Sequence, residues 1–93
     1  MISKSAIREF SEKRPDSLEP LLHWYRVAKN ASWYRPSDVR ADFGHADFVG
    51  GLTVFNIAGN KYRLVAAIKY RWQVVYVRDI LTHADYTRGK WKQ

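Results

Sequence analysis

The sequence predicts an α+β fold, in which helices come first along the chain and strands follow. Within the first 30 residues, apolar side chains recur every three or four positions, which is the spacing of helices with one buried face. From residue 52 onward, apolar and polar residues alternate, which is typical of strands in a sheet. Gly44, Gly50 and Gly51 separate the two regions and predict a loop.

Two helices are expected before residue 31. Ser3 or Ser5 can cap the first, which runs to about Lys13 and follows a short strand stub at residues 1–3. The second begins with Asp16 as an N-cap acid and Glu19 three residues later, which is the pattern of a capping box. Its predicted buried face comprises Leu18, Leu21, Leu22, Tyr25 and Ala28.

The rest of the chain is expected to form two short helices and three strands. One or two helical turns are predicted at residues 37–43. Strands are predicted at residues 52–57, 61–70 and 73–80. The first two strands form a hairpin in which Gly59 or Asn60 takes a positive φ. Thr82 is a predicted N-cap for a short C-terminal helix.

Length and composition predict a single domain that spans residues 1–93. Hydrophobic residues make up 46% of the chain, which is enough for a packed core. The absence of cysteine excludes disulfides and thiolate zinc sites, and agrees with a reducing compartment. No apolar run approaches the ~20 residues that span a bilayer, and the N-terminal residues become charged too early for a secretory signal. We therefore expect a cytoplasmic protein that does not associate with membranes.

The net charge is concentrated in the last third of the chain. Residues 61–93 hold eight Lys or Arg and two acids, giving 8 − 2 = +6, whereas residues 1–60 hold eight basic and seven acidic residues, giving 8 − 7 = +1. Phosphate affinity comes largely from Lys and Arg that displace counterions. The concentration of cations in one segment therefore predicts a polyanion as the binding partner.

The strand predicted at residues 61–70 has two different faces. Lys61, Arg63 and Lys69 lie on one face, and the apolar side chains on the other face belong to a core. Lys61 and Arg63 are expected about 6–7 Å apart, close enough to share one phosphodiester. A solvated outer face, on which the cations serve only solubility, explains this pattern about equally well.

His83 is the histidine with the most suggestive neighbours. It follows a predicted strand that contains Arg78, and an imidazole beside a phosphate-binding cation suits proton transfer in RNA cleavage. His23 lies on the polar side of the second helix and His45 in the glycine-flanked loop, without comparable neighbours. The scattered acids do not form a metal-ligand pattern, and no glycine-rich phosphate loop occurs. We expect neither a metal nor a cofactor.

Several motifs together resemble a known family. They are DVRADFGHADFVGG, VFNIAGNKYRLVAAIKY and VVYVRDILTHADY, preceded by AIREFSEKRPDSLEPLLHWYR. This sequence resembles the HigB toxins of type II toxin–antitoxin systems, in the RelE/ParE-like superfamily. The resemblance implies two N-terminal helices packed on a small twisted antiparallel sheet, with a short C-terminal helix. It also implies a helix-turn-helix antitoxin of the HigA type, and contact with operon DNA only through that antitoxin.

The activity implied by the resemblance is metal-independent cleavage of mRNA in the ribosomal A site, by attack of the RNA 2′-OH on the adjacent phosphate. Arg63 would neutralise the scissile phosphate, with Lys61 assisting. His83 would act as general base or acid, and Tyr86 would stack on a base or orient the phosphate. The expected RNA contacts are Asn56, Asn60, Lys69, Arg71, Arg78, Arg88 and Lys90. The sequence departs from the family pattern at Asp79 and Leu81, where an aromatic residue and a glycine are usual.

Two other functions remain open at this point. A non-catalytic RNA- or ribosome-binding module would use the same cations without cleaving RNA. A gyrase-targeting toxin is suggested by the ParE branch of the superfamily, although the grouping of Lys61, Arg63 and His83 argues against it.

Overall fold

The computed structural model describes residues 4–89 and 91, so the strand stub expected at residues 1–3 lies outside the described residues. The helices of the described part are α1 (Ser5–Lys13), α2 (Leu18–Asn30), α3 (Pro36–Asp42) and α4 (His83–Arg88). The strands are β1 (Asp47–Val49), β2 (Leu52–Ile57), β3 (Tyr62–Lys69) and β4 (Val74–Thr82). Short 3₁₀ turns at Pro15–Ser17 and Tyr70–Trp72 link α1 to α2 and β3 to β4. The predicted α+β class is confirmed.

The four strands form an antiparallel sheet in the order β1-β2-β3-β4. Each strand pairs with the next one along the chain, so short connections suffice. The sequence prediction missed β1 because its three residues lie in the region read as a loop. Gly50 and Gly51 both adopt positive φ (56° and 83°) and form the tight turn between β1 and β2.

Helices α1 and α2 pack on one face of the sheet and form the main core with it. Leu21, Trp24 and Ala28 of α2 are buried, as are Phe55 and Leu64 from the sheet. The ring centroids of Trp24 and Phe55 lie 5.3 Å apart in an edge-on arrangement, which is favourable for aromatic pairs. Burial of each large apolar side chain contributes about 1.5–3 kcal/mol to folding, so this layer positions the sheet.

The predicted caps of the first two helices are wrong. Ser5 is the first residue of α1, and its N-cap, Lys4, makes no side-chain capping bond. Asp16 is not the N-cap of α2, because a 3₁₀ turn at Pro15–Ser17 comes first and Ser17 occupies that position. The carboxylate of Asp16 instead reaches the sheet, where Lys61 and Tyr62 donate hydrogen bonds to it. Leu18, expected on the buried face, is 40% exposed.

The hairpin turn between β2 and β3 confirms the positive φ that was predicted at Gly59 or Asn60. Gly59 takes a positive φ of 68°, as expected, but the second such residue is Ala58 (53°) rather than Asn60. The turn closes with a hydrogen bond from the Lys61 amide to the Ala58 carbonyl. Asn60 is therefore free to use its side chain for contacts rather than to satisfy the backbone geometry.

The outer face of the sheet, which we define as the face opposite α1 and α2, is not simply solvated. Arg63 and Val65 point to this face by strand alternation, yet they are only 9% and 1% exposed. Helix α4 packs against β3 and β4, and this covers part of the outer face. The expectation of a fully solvent-exposed cationic face is therefore wrong at Arg63. No helix of the described residues is both long and apolar enough to cross a membrane.

Candidate functional site

The centre of the candidate site is the side chain of Arg63 near the start of β3. Its Nη1 donates to the carbonyls of Asn60 and Tyr62, each at 3.2 Å, and its Nη2 donates to Oδ1 of Asn60 at 3.0 Å. A guanidinium has five N–H donors, so these bonds leave Nε–H and one hydrogen of Nη2. The three bonds fix the guanidinium, whose residue is 9% exposed. The two remaining donors form a fork in its plane.

Aromatic rings from the C-terminal part of the chain cover Arg63. The guanidinium carbon lies 5.4 Å from the ring centroid of Tyr86, within the range of cation–π attraction. Trp91 stacks on the other side of Tyr86, with centroids 5.0 Å apart and an interplanar angle of 13°. The Trp91 indole also donates to the Tyr86 carbonyl at 3.0 Å. The stack shields the face of the guanidinium, and the fork in its plane is left to bind an anion.

His83 is brought next to this site by the end of β4. Tyr62 pairs with Thr82 across the sheet, and the His83 amide donates to the Lys61 carbonyl at 3.1 Å. Thr82 caps α4, as predicted, by accepting a hydrogen bond from the Asp85 amide at 3.2 Å. His83 is therefore the first residue of α4, and its side chain is exposed. Its backbone is fixed by β3 while its imidazole remains accessible.

Lys61 and Arg63 do not form an open pair of cations, because each already has partners. The Lys61 ammonium pairs with the Asp16 carboxylate, and both side chains remain about half exposed (64% and 48%). The Tyr62 hydroxyl donates to the same carboxylate at 2.8 Å. Hydrogen bonds from Lys61 and then Tyr62 lower the pKa of Asp16, and the bond to Asp16 raises the pKa of Lys61 and of Tyr62. These contacts attach the α1–α2 connection to the base of the site.

A groove beside Arg63 contains a histidine that the sequence analysis set aside. His45, Asn56, Gly59 and Asn60 line a cleft of about 470 Å³, within the range of small-molecule sites. Asn56 is directly opposite Arg63 in the β2–β3 register. The bond from Arg63 fixes Oδ1 of Asn60, so the Asn60 amide presents its two N–H donors away from Arg63. No local sequence pattern marks His45 as a site residue, because only the pairing of β1 with β2 brings it to this end of the sheet.

The other predicted RNA contacts are spread over the molecule. Arg88 forms an ion pair with Asp85 on α4 at 3.3 Å, near the site. Arg78 lines a groove against α1 with Glu9 and Lys13, away from Arg63. It is the residue left out of the β3–β4 pairing, which shifts register between Val65 and Ala66.

Two of the three remaining predicted contacts, Lys69 and Arg71, do not join the site. Lys69 and Arg71 lie at the opposite end of β3, about 20 Å from Arg63 at ~3.3 Å per residue. Lys90 lies outside the described residues. Within the described ranges, no group of three or more metal-ligating side chains is present.

Comparison with known proteins gives the family of this fold and site. Residues 17–89 match the family model of the HigB toxins, described as the RelE-like toxic component of a toxin-antitoxin system. The chain is 27% identical over 89 residues to the mRNA interferase toxin HigB of Escherichia coli strain K12, covering 92% of this chain and 86% of the relative. It is 29% identical over 91 residues to the mRNA interferase HigB of Escherichia coli O6:H1, covering 95% and 88%.

The match over residues 17–89 identifies the chain as a RelE-like toxic component of a toxin–antitoxin system, and the open antiparallel sheet agrees with a RelE-like fold. Within that class, the chain belongs to the HigB toxin family.

Proposed function

We propose that the protein is a toxin that inhibits translation by cleaving mRNA as an endoribonuclease. The observation that carries this proposal is the Arg63 fork, which is fixed by three hydrogen bonds; Arg63 pairs with Leu81, two residues before His83. Rigid donors directed at a phosphate stabilise the charge that develops in its transition state. The relatives named mRNA interferase support the same activity.

The proposed reaction needs only the RNA and protein side chains. The 2′-oxygen attacks the adjacent phosphorus, the bond from phosphorus to the 5′-oxygen breaks, and a 2′,3′-cyclic phosphate and a 5′-hydroxyl result. A base removes the proton of the 2′-OH, and an acid gives a proton to the leaving 5′-oxygen. His83 takes one of these roles because it is exposed and its backbone is held at the end of the sheet that carries Arg63. No metal takes part in this scheme.

The other site residues act around this centre. Tyr86 holds the Arg63 guanidinium from its face and thus orients the phosphate contact. Lys61 binds a flanking phosphate, in competition with Asp16. Asn56 and Asn60 position the RNA through the groove that they line. Arg88 supplies further positive charge from α4.

The proposed setting is the cytoplasm, on mRNA in the A site of the ribosome. The proposed antitoxin is a helix-turn-helix protein of the HigA type, which contacts operon DNA and neutralises the toxin by covering its cationic site with an acidic segment. A complex that leaves the surface around Arg63 open would contradict this mode of neutralisation.

Inducible expression tests the proposed function. Wild-type protein is expected to arrest growth and to create new 5′ ends within translated mRNA, and Arg63→Ala and His83→Ala are each expected to abolish both effects. His23→Ala is the matched control, since His23 is exposed on α2 and remote from the site. Growth arrest without new RNA ends would identify a non-catalytic binder, and arrest accompanied by altered DNA supercoiling would identify a gyrase-targeting toxin.

A further inference from the structure

The end of the sheet opposite the candidate site carries an exposed aromatic and cationic surface. We call it the distal surface and define it by Lys69, Arg71, Trp72 and Tyr76. Trp72 is 67% exposed and Tyr76 is 55% exposed. Exposed apolar surface that is grouped in a patch and rimmed by polar residues is typical of interaction sites.

The charge of the distal surface is available to an anion. Lys69 and Arg71 are both exposed, and neither forms an ion pair with a carboxylate of the described residues. The Arg71 guanidinium lies 5.0 Å from the ring centroid of Trp72, which places a cation against a flat π surface. The nearby Asp38 carboxylate is engaged by the Tyr34 amide at 2.9 Å.

The tip that carries Arg71 and Trp72 is held in place rather than loosely attached. The 3₁₀ turn ends at Gln73, which takes a positive φ of 54°. The Gln73 side-chain amide donates to the carbonyls of Trp33 and Tyr70, and these bonds tie the tip to the loop before α3. A preorganised aromatic loses little conformational entropy when it binds.

The distal surface is separate from the site around Arg63. Tyr76 pairs with Ala67, and alternation along β3 places Lys69 on the same outer face as Arg63. Between the two ends lies Asp79, opposite Val65, in a groove that is also lined by Trp91. An acidic residue and a packed indole therefore interrupt the cationic outer face.

We infer that the distal surface is a second binding site for single-stranded RNA, in which Trp72 stacks on a base and Arg71 and Lys69 contact the flanking phosphates. Interleaved aromatic and basic side chains are the features by which proteins bind single strands without base readout. The adjacent cavity, lined by Trp33, Ile68 and others, has a volume of about 200 Å³, below the usual range for an inserted ligand. Surface stacking therefore fits better than insertion. This inference rests on the proposed RNA substrate.

The occupant that we infer is another part of the RNA strand that the protein cleaves. Binding experiments with fluorescent RNA that carries 2′-O-methyl groups separate the inference from the proposed catalysis, because such RNA lacks the nucleophile. Trp72→Ala is expected to weaken binding of a 20-nucleotide strand about 5- to 100-fold.

Matched variants complete the test. Trp72→Phe should restore most of the affinity because it keeps a stacking ring, whereas Arg8→Ala removes an exposed cation of α1 and should have little effect. Loss of co-sedimentation with ribosomes in Trp72→Ala, with normal binding of the free 20-mer, would identify ribosomal RNA as the partner. The inference is overturned if Trp72→Ala binds both the 20-mer and ribosomes like the wild type, or if it weakens only binding of the antitoxin.

Discussion

The substitution Arg63→Lys separates the charge of this residue from its geometry. The guanidinium makes three hydrogen bonds to Asn60 and Tyr62 and is 9% exposed. A lysine keeps the positive charge, but its ammonium cannot reach all three acceptors and a phosphate at once. Net contributions of hydrogen bonds to charged groups are about 1.5–3 kcal/mol each. With partial replacement by the ammonium, we expect a loss of about 2 kcal/mol in the free energy of unfolding.

This loss in the free energy of unfolding should lower Tm measurably, but it should leave almost all of the protein folded at 25 °C. For a domain of this size, ~2 kcal/mol corresponds to a fall in Tm of roughly 8–16 °C. If the wild-type free energy of unfolding is near the lower limit of about 5 kcal/mol, ~3 kcal/mol remains and roughly 99% of the variant is folded at 25 °C. A large fall in the cleavage rate of the variant therefore cannot be explained by a loss of folded protein.

Single-turnover cleavage at 25 °C is the second measurement. Loss of the fixed Nε and Nη2 fork is expected to lower the rate about 10²- to 10³-fold. Asn60→Ala is the control, because it removes only one acceptor of Arg63: it should lower stability by a comparable amount, about 1.5–3 kcal/mol, with a smaller change in rate. A rate for Arg63→Lys within about threefold of wild type, in protein shown to be folded, would refute the assigned role of the fork.

Three further changes probe other parts of the molecule. Asp16→Asn frees the Lys61 ammonium, so the log–log slope of RNA affinity against salt should steepen by about 0.7 if one more phosphate is bound; an unchanged slope would contradict the competition. The pKa of Asp16 is lowered in the folded state, so its ionised carboxylate stabilises the fold above the ordinary pKa of 3.8. This stabilisation is lost as the pH falls through the lowered pKa. Acid should therefore reduce the free energy of unfolding of the wild type more than that of the variant. His45→Ala should alter the preferred cleavage sequences, mapped by RNA-end sequencing, whereas His23→Ala should not; identical maps for both would exclude the groove as a specificity element. Leu64→Ala, at a fully buried position, should lower the free energy of unfolding by about 2–5 kcal/mol in denaturant titrations, and a smaller loss would mean that the core refills the cavity.

Local patterns in the sequence predicted the elements whose cause is local. The helical spacing around Leu21 and Ala28 identified the buried face of α2, and the alternation through Leu64 identified the core side of β3. Thr82 was recognised as an N-cap because its hydroxyl acts within one helical turn. Each of these signals depends on neighbours a few residues away along the chain.

The errors arose where distant residues decide the structure. Asp16 matched a capping box, but its carboxylate bonds to residues 45 and 46 positions further along the chain. Alternation placed Arg63 on an outer face, yet it could not reveal that Tyr86 and Trp91 cover that position. His45 had no suggestive neighbours in sequence, because those that it has in space belong to the next hairpin. Tertiary contacts of this kind have no local periodicity to detect.

Lys61 contacts three parts of the protein that lie at different places along the chain. Its side chain pairs with Asp16 before α2, its amide closes the β2–β3 turn, and its carbonyl accepts the first amide of α4. The last of these partners, His83, is made 22 residues after Lys61. A nascent chain that ends before His83 can thus contain the Arg63 hairpin but lacks the imidazole and the Tyr86 ring. Since the proposed activity needs all of them, a ribosome that makes this toxin must extend it past Tyr86 before the Arg63 hairpin is able to act on mRNA.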